Sequence, residues 1–222
     1  MKPPLTLLEE FVLLSLDDET GAHLPLPPSA YGFGLAGAIL SDLVMAERIS
    51  TETNQVKMIN KFPIGNSLLD PWLDLIAASP GIHSIHYWIT TLSDHKREIE
   101  KSAITHLIDR GILKRQDKKI LWVVGLRRYP TIHNEERMEV RTRLRNLILT
   151  DEEPDHFDAT LISLLQGSYL LEEVFVGESF LDRADRITFL ANSDPIGKEV
   201  AATTKDTLDA LLINQGIPAA GY

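Results

Sequence analysis

Apolar positions recur along most of the chain at helical spacing. Leu7, Leu8, Phe11, Val12, Leu13, Leu14 and Leu16 leave so few polar places that the segment reads as a core helix, opened by a capping-box spacing at Thr6 and Glu9. A turn over 17–21 and the run His23-Leu24-Pro25-Leu26-Pro27-Pro28 predict an extended surface loop, because prolines bar a helix there. A second helix is predicted from Ser29 to Arg48, followed by a short hairpin of Ile49–Thr51 and Val56–Ile59 around Glu52–Gln55. Ser67–Ala78 and Ser84–Leu92 read as further core helices. The last third reads as a set of helices, His133–Thr150, Ala159–Leu165, Tyr169–Phe175, Phe180–Leu190 and Val200–Asn214, punctuated by Gly167, Gly177 and Pro195.

Between these blocks lies a stretch of opposite character, His95 to Arg128. Ile99, Ala103, Ile104, Leu107 and Ile108 share one helical face, and Lys96, Arg97, Glu100 and Lys101 the other. Gly111 supplies the left-handed residue that ends the helix. Ile112–Lys114 and Lys119–Val124 then predict a second hairpin about a polar turn, Arg115–Lys118. Helix followed by hairpin thus occurs twice, an arrangement that winged-helix modules also have. The expected fold class is mainly α: a single-domain helical bundle with one protruding β-hairpin and a second, shorter one.

Charge changes the picture of that stretch. It holds ten Lys or Arg against four acids, on a chain of 222 residues with a formal net charge of −10. A basic island on an acidic protein points to a local site for an anionic partner, while the overall sign argues against broad nucleic-acid binding. Composition is that of a soluble globular protein, with no Cys to supply a disulfide or thiol nucleophile. No apolar run approaches the ~18 residues of a spanning helix, and Met1-Lys2-Pro3-Pro4 leads into the first helix without a signal-peptide pattern. The cytoplasm is therefore the expected compartment, and any membrane contact is expected to be peripheral.

Candidate chemistry is sparse. Gly32-Phe33-Gly34-Leu35-Ala36-Gly37 matches GxGxxG letter by letter, yet prolines and not a strand precede it, and no parallel strand follows. The glycines are read instead as places where another helix or loop comes close. His83 and His86 have an HxxH spacing without a third ligand nearby, so partly buried histidines are expected, not a metal site. No nucleophile elbow, zincin motif, P-loop or EF-hand loop is present. No catalytic residue and no cofactor is predicted, and the chain is expected not to be an enzyme.

Taken in order, LTLLEEFVLLSLDDETG, GLAGAILSDLVMAERIS, YWITTLS, LIDRGILK with its hairpin, RLRNLILT and LLQGSYLLEEVF resemble the Golgi phosphoprotein 3 family. The likeness runs from Leu5 to about Gln215, leaving 1–4 and 216–222 as tails, and suggests a compact, prokaryotic type of relative. It implies a helical domain acting as a peripheral membrane adaptor, which binds phosphatidylinositol phosphate, carries protein cargo, and uses its hairpin for membrane contact and self-association. The family's headgroup pocket is similar to one Trp, one Arg and a pair of Arg three apart. Anchored on GLAG and IDRG, those positions fall at Pro27, Ala36, Arg97 and Glu100, so one of the four is matched. The resemblance and the charge pattern together nominate Arg97, Lys96 and Lys101 for anionic headgroups, and Lys114, Arg115, Lys118 and Lys119 for membrane or partner contact on the hairpin. The alternative is a winged-helix-like or protein–protein module whose hairpin binds a partner chain without lipid.

Overall fold

The computed structural model describes residues 4–17, 20–117, 127–132, 134–177 and 180–214. Helix α1 (Leu7–Leu14) is buried at all eight positions. Such a helix can use no water to satisfy its ends, so every terminal amide and carbonyl needs a protein partner. At its start the predicted capping box is formed: Glu9 N donates to Thr6 Oγ1 at 3.2 Å and Thr6 N to Glu9 Oε2 at 2.9 Å. Leu7 N and Leu8 N donate to Asp42 Oδ1 and Oδ2 at 2.9 and 3.0 Å. At its end Arg137 Nε donates to Leu13 O at 3.2 Å and Arg137 Nη2 to Leu14 O at 3.5 Å.

Helix α2 (Pro28–Met45), with proline in its first turn, carries Asp42 and packs on α1. Beyond it come β1 (Ile49–Ser50) and β2 (Gln55–Met58), antiparallel with Ile49 opposite Met58, as the first hairpin expectation has it. A third strand, β3 (His83–Ser84), adds to β2 with Val56 opposite His83, and the sequence reading missed it. At two residues it is too short to show an alternation. Helices α3 (Asp70–Ala78) and α4 (Ile85–Ser93) flank β3, and α5 (Lys96–Asp109) follows. After β4 (Gln116–Asp117) and β5 (Arg127–Arg128) come α6 (Glu135–Leu149), α7 (His156–Gly167), α8 (Leu170–Val174), α9 (Ala184–Ala191) and α10 (Pro195–Asn214). Packing of α2 against α4, α7 and α10 completes a mainly α core.

The GxGxxG glycines lie inside α2, as close-approach positions. A Cβ on Gly34 would land on the buried Phe11 ring, and one on Gly37 would press on Leu164 of α7 and Val200 of α10. Gly34→Ala is therefore expected to cost about 1–3 kcal/mol in urea unfolding through overpacking. Phe11→Leu in the same chain should recover part of it. Equal stability of parent and Gly34→Ala would contradict this packing role.

The second hairpin departs from its expected register. Leu113 bridges Thr131, Gln116 pairs with Arg128 and Asp117 with Arg127. Arg115, Gln116 and Asp117 therefore climb the first arm, and are not the turn that the Arg115–Lys118 reading made of them. That tetrapeptide contains neither Gly nor Pro, and polarity alone is a weak turn signal. Lys118, Lys119 and the expected strand residues Ile120, Trp122 and Val124 lie outside the described residues. Gly111, at φ +75°, ends the turn after α5 as predicted. The hairpin base is held by Lys114 N to Pro130 O at 3.1 Å and Tyr129 N to Gly21 O at 2.8 Å, which moors it to the loop after α1.

Candidate functional site

α5 is amphipathic, with Ile99, Ala103, Ile104 and Leu107 buried. That orientation leaves Arg97 and Lys101, one turn apart, exposed. Lys96 is half-buried: its stem lies against Gly32 and its Nζ donates to Pro28 O at 3.2 Å, at the start of α2. Lys101 borders a groove of about 360 Å³ between α5 and the loop before α3, shared with Ser67, Leu68, Glu98 and Asp109. Glu98 and Asp109 weaken the field of Lys101 there. Lys114 and Arg115 are exposed on the rising arm of the hairpin. Among the described residues, Arg97, Lys101 and Lys114 form no ion pair.

Not every cation of the island belongs to this surface. Arg110 turns inward, its Nη1 3.4 Å from Oε1 of Glu9, a carboxylate that also meets His106 Nδ1 at 2.8 Å. Two arginines of α6 are likewise taken up by the fold. Arg137 is buried on the end of α1. Arg143 bridges Glu10 Oε2 and Asp158 Oδ1, both at 2.6 Å, with its guanidinium 5.9 Å from the Phe157 ring centre. Charge count alone cannot separate such cations from free ones, since the difference is the presence of a buried carboxylate on another helix.

Glu100, on the α2 side of α5, takes part in a local cluster. His23 Nε2 lies 2.8 Å and the Tyr31 hydroxyl 3.3 Å from Glu100 Oε1. Burial, with the Glu100 carboxylate beside it, pushes the Tyr31 hydroxyl well above its ordinary value, so it remains a donor. Tyr31 also stacks on Phe11, with ring centres 6.0 Å apart. The His23–Tyr31–Glu100 cluster was not read from the sequence. Its members lie 69 positions apart or more except for the pair His23 and Tyr31, and only the fold brings them together.

The HxxH pair diverges. His83 Nε2 stands 3.1 Å from Ser79 Oγ and its ring stacks on Tyr87 at 4.1 Å, whereas His86 Nδ1 meets Thr203 Oγ1 at 3.0 Å and Glu199 Oε1 at 3.3 Å. His83 is half-buried as expected; His86 is exposed. Among the described residues no three His, Asp or Glu side chains gather as metal ligands.

This order of elements, a buried α1, a glycine-bearing α2, the helix-to-hairpin unit and the helical last third, is matched by a family profile. The profile described as Golgi phosphoprotein 3 (GPP34) covers residues 7–207. The chain belongs to the Golgi phosphoprotein 3 family. It is similar to vacuolar protein sorting-associated protein 74 of Schizosaccharomyces pombe, 27% identical over 141 residues, which are 54% of this chain and 41% of that protein. It is also similar to the protein of the same name from Eremothecium gossypii, 22% identical over 169 residues, 67% of this chain and 50% of that one. The chain thus spans half or less of the length of these relatives.

The four positions that the family resemblance assigns to a headgroup fare unequally. Pro27 caps α2 without a side-chain hydrogen bond, Ala36 is fully buried, Arg97 is exposed, and Glu100 is engaged by His23 and Tyr31. Three of the four therefore offer a phosphate no cation, and an anion there would meet the Glu100 carboxylate. Helix α2, which precedes the first hairpin, is buried along most of its length and so has no free face for a nucleic-acid groove. Among the described residues no helix is long and apolar enough to cross a membrane.

Proposed function

We propose that this chain is a non-enzymatic peripheral membrane adaptor, working from the cytoplasm, that docks reversibly on anionic lipid headgroups. Arg97, Lys96 and Lys101 of α5 meet the headgroups, and Lys114, Arg115, Lys118 and Lys119 extend the contact along the hairpin. The observation that carries this reading is the exposure of Arg97, Lys101 and Lys114 without an ion pair among the described residues, on a chain of net charge −10. Near an anionic bilayer each such cation contributes ~1 kcal/mol, so a handful supports reversible docking. With Pro27, Ala36 and Glu100 at the headgroup positions, binding depends on vesicle charge and not on the phosphatidylinositol 4-phosphate headgroup.

Co-sedimentation with phosphatidylglycerol, phosphatidylinositol 4-phosphate and neutral vesicles, at matched charge and two salt concentrations, tests it. Arg97→Ala with Lys101→Ala is expected to weaken binding to the anionic vesicles by about 1–2 kcal/mol at low salt and by less at high salt. Arg183→Ala, which breaks only an exposed pair with Asp151, should change nothing. Unchanged binding by the double variant would reduce Arg97 and Lys101 to a solvated face, and leave the hairpin as a surface for a protein partner.

A further inference from the structure

A second surface leads up to the groove beside Lys101 of α5. From Thr53 to Leu69 there is no acid at all, although Asp and Glu make up 32 of the 222 residues. The stretch forms β2 and the loop that leads to α3. On it Ile59 is 60% and Phe62 70% exposed, and Ile82, from the loop before β3, is 58% exposed. Here the backbone is tied down: Ile59 N and Asn60 N donate to Arg48 O, Phe62 N to Asn60 Oδ1, and Arg48 Nε to Phe62 O at 3.0 Å. Ile64 N and Gly65 N donate to the Asp70 carboxylate at 2.7 and 3.0 Å. The loop is thus braced to hold Phe62 outward.

Lys57 and Lys61 are the charged residues of the stretch itself, Arg48 is bonded to it, and the Asp70 carboxylate at its far end is taken up by the Ile64 and Gly65 amides. Apolar tips on a stretch that carries cations and no acid of its own match the boundary of an anionic bilayer: the tips enter the acyl edge while the cations stay among the phosphates. The same loop continues into Ser67 and Leu68, which share a groove with Lys101 of α5. We infer that the Ile59–Phe62 loop is an interfacial anchor that inserts Ile59 and Phe62 into the headgroup region of an anionic membrane, beside the α5 contact. This rests on the membrane-docking reading above and adds an apolar component to an electrostatic one.

Because the chain has no Cys, a single label reports one place. Phe62→Cys carrying an environment-sensitive fluorophore is mixed with phosphatidylglycerol vesicles, with and without shallow nitroxide-labelled lipid. Phe189→Cys, at a site 63% exposed on α9, serves as control. The expected result is a rise of about twofold or more in emission at position 62, quenched by the nitroxide, and neither change at 189. In co-sedimentation Ile59→Ser with Phe62→Ser should weaken binding about tenfold, with the salt dependence of the parent retained. Failure of the parent to bind any vesicle overturns the docking reading and this one with it. Parent binding with no change at position 62 overturns the anchor alone. So does a parent dimer that the serine variant turns into a monomer while vesicle binding stays the same, since the patch would then be a contact between copies of the chain. Both variants alter exposed side chains, and an unchanged melting curve confirms that they are folded.

Discussion

Arg143→Met is expected to destabilise the fold by about 3–5 kcal/mol in urea unfolding, because it leaves two buried carboxylates without their cation. Arg143 reaches from α6 to Glu10 on α1 and Asp158 on α7 at 2.6 Å each, and both carboxylates are almost wholly buried. Methionine keeps much of the volume, so the loss measures charge and not packing. Burial pushes Glu10 up to about 7 even with Arg143 present, and the guanidinium works against that shift. Without it the carboxyl is pushed higher still and is neutral in the folded state at pH 5. The variant should then lie closer to the parent at pH 5 than at pH 8, where the uncompensated charge costs most. A loss below about 1 kcal/mol at pH 8 would mean that water screens the three groups, as it does for an exposed pair.

Asp42→Ala is expected to cost about 3 kcal/mol, since Leu7 and Leu8 would keep two buried amide hydrogens with no acceptor. The pH trend has the opposite sense. Burial lifts Asp42 from 3.8 to about 7, against the pull of the Leu8 and Leu7 amides. Glu10, from 4.5, shares that direction. In both cases the folded chain holds a proton that the unfolded chain releases. The stabilisation is thus complete below about pH 4 and is lost as pH rises through about 7. The parent should melt at a higher temperature at pH 5 than at pH 8. Asp42→Ala removes one of the two groups, so its melting temperature should fall less steeply, and its deficit relative to the parent should shrink toward pH 8. Parallel curves for parent and variant between pH 5 and 8 would show that Asp42 is ionised throughout.

Some of this was legible in the chain and some was not. The apolar run of α1 and its Thr6–Glu9 box stand in the sequence because they involve neighbours three or four positions apart. The burial of Glu9 and Glu10 does not, since their partners His106, Arg110 and Arg143 lie 97 to 133 positions away. The same gap explains the arginines of α6, whose roles depend on where α1 ends and where Asp158 lies. On α5 the exposure of Arg97 and Lys101 was legible, because helical periodicity separates them from Ile99, Ala103 and Ile104. The braced loop that displays Phe62 was passed over, because a lone Phe between Lys and Pro carries no periodic signal.

By itself the sequence determined that the fold is mainly α, that α1 is a core helix, that the glycines of α2 are for packing, and that cations concentrate on the helix-to-hairpin unit. These follow from short-range rules: helical spacing, local caps, the need of a strand before a dinucleotide loop, and summed charge. Only the tertiary structure decided which cations remain free and which are taken up. Arg110, Arg137 and Arg143 are engaged by groups on α1 and α7, and Glu100 by His23 and Tyr31, whereas Arg97, Lys101 and Lys114 stay exposed without an ion pair among the described residues. The physical reason is desolvation: a carboxylate or helix end buried by the fold must recruit a partner from wherever the chain returns to it. Position along the sequence does not encode that return.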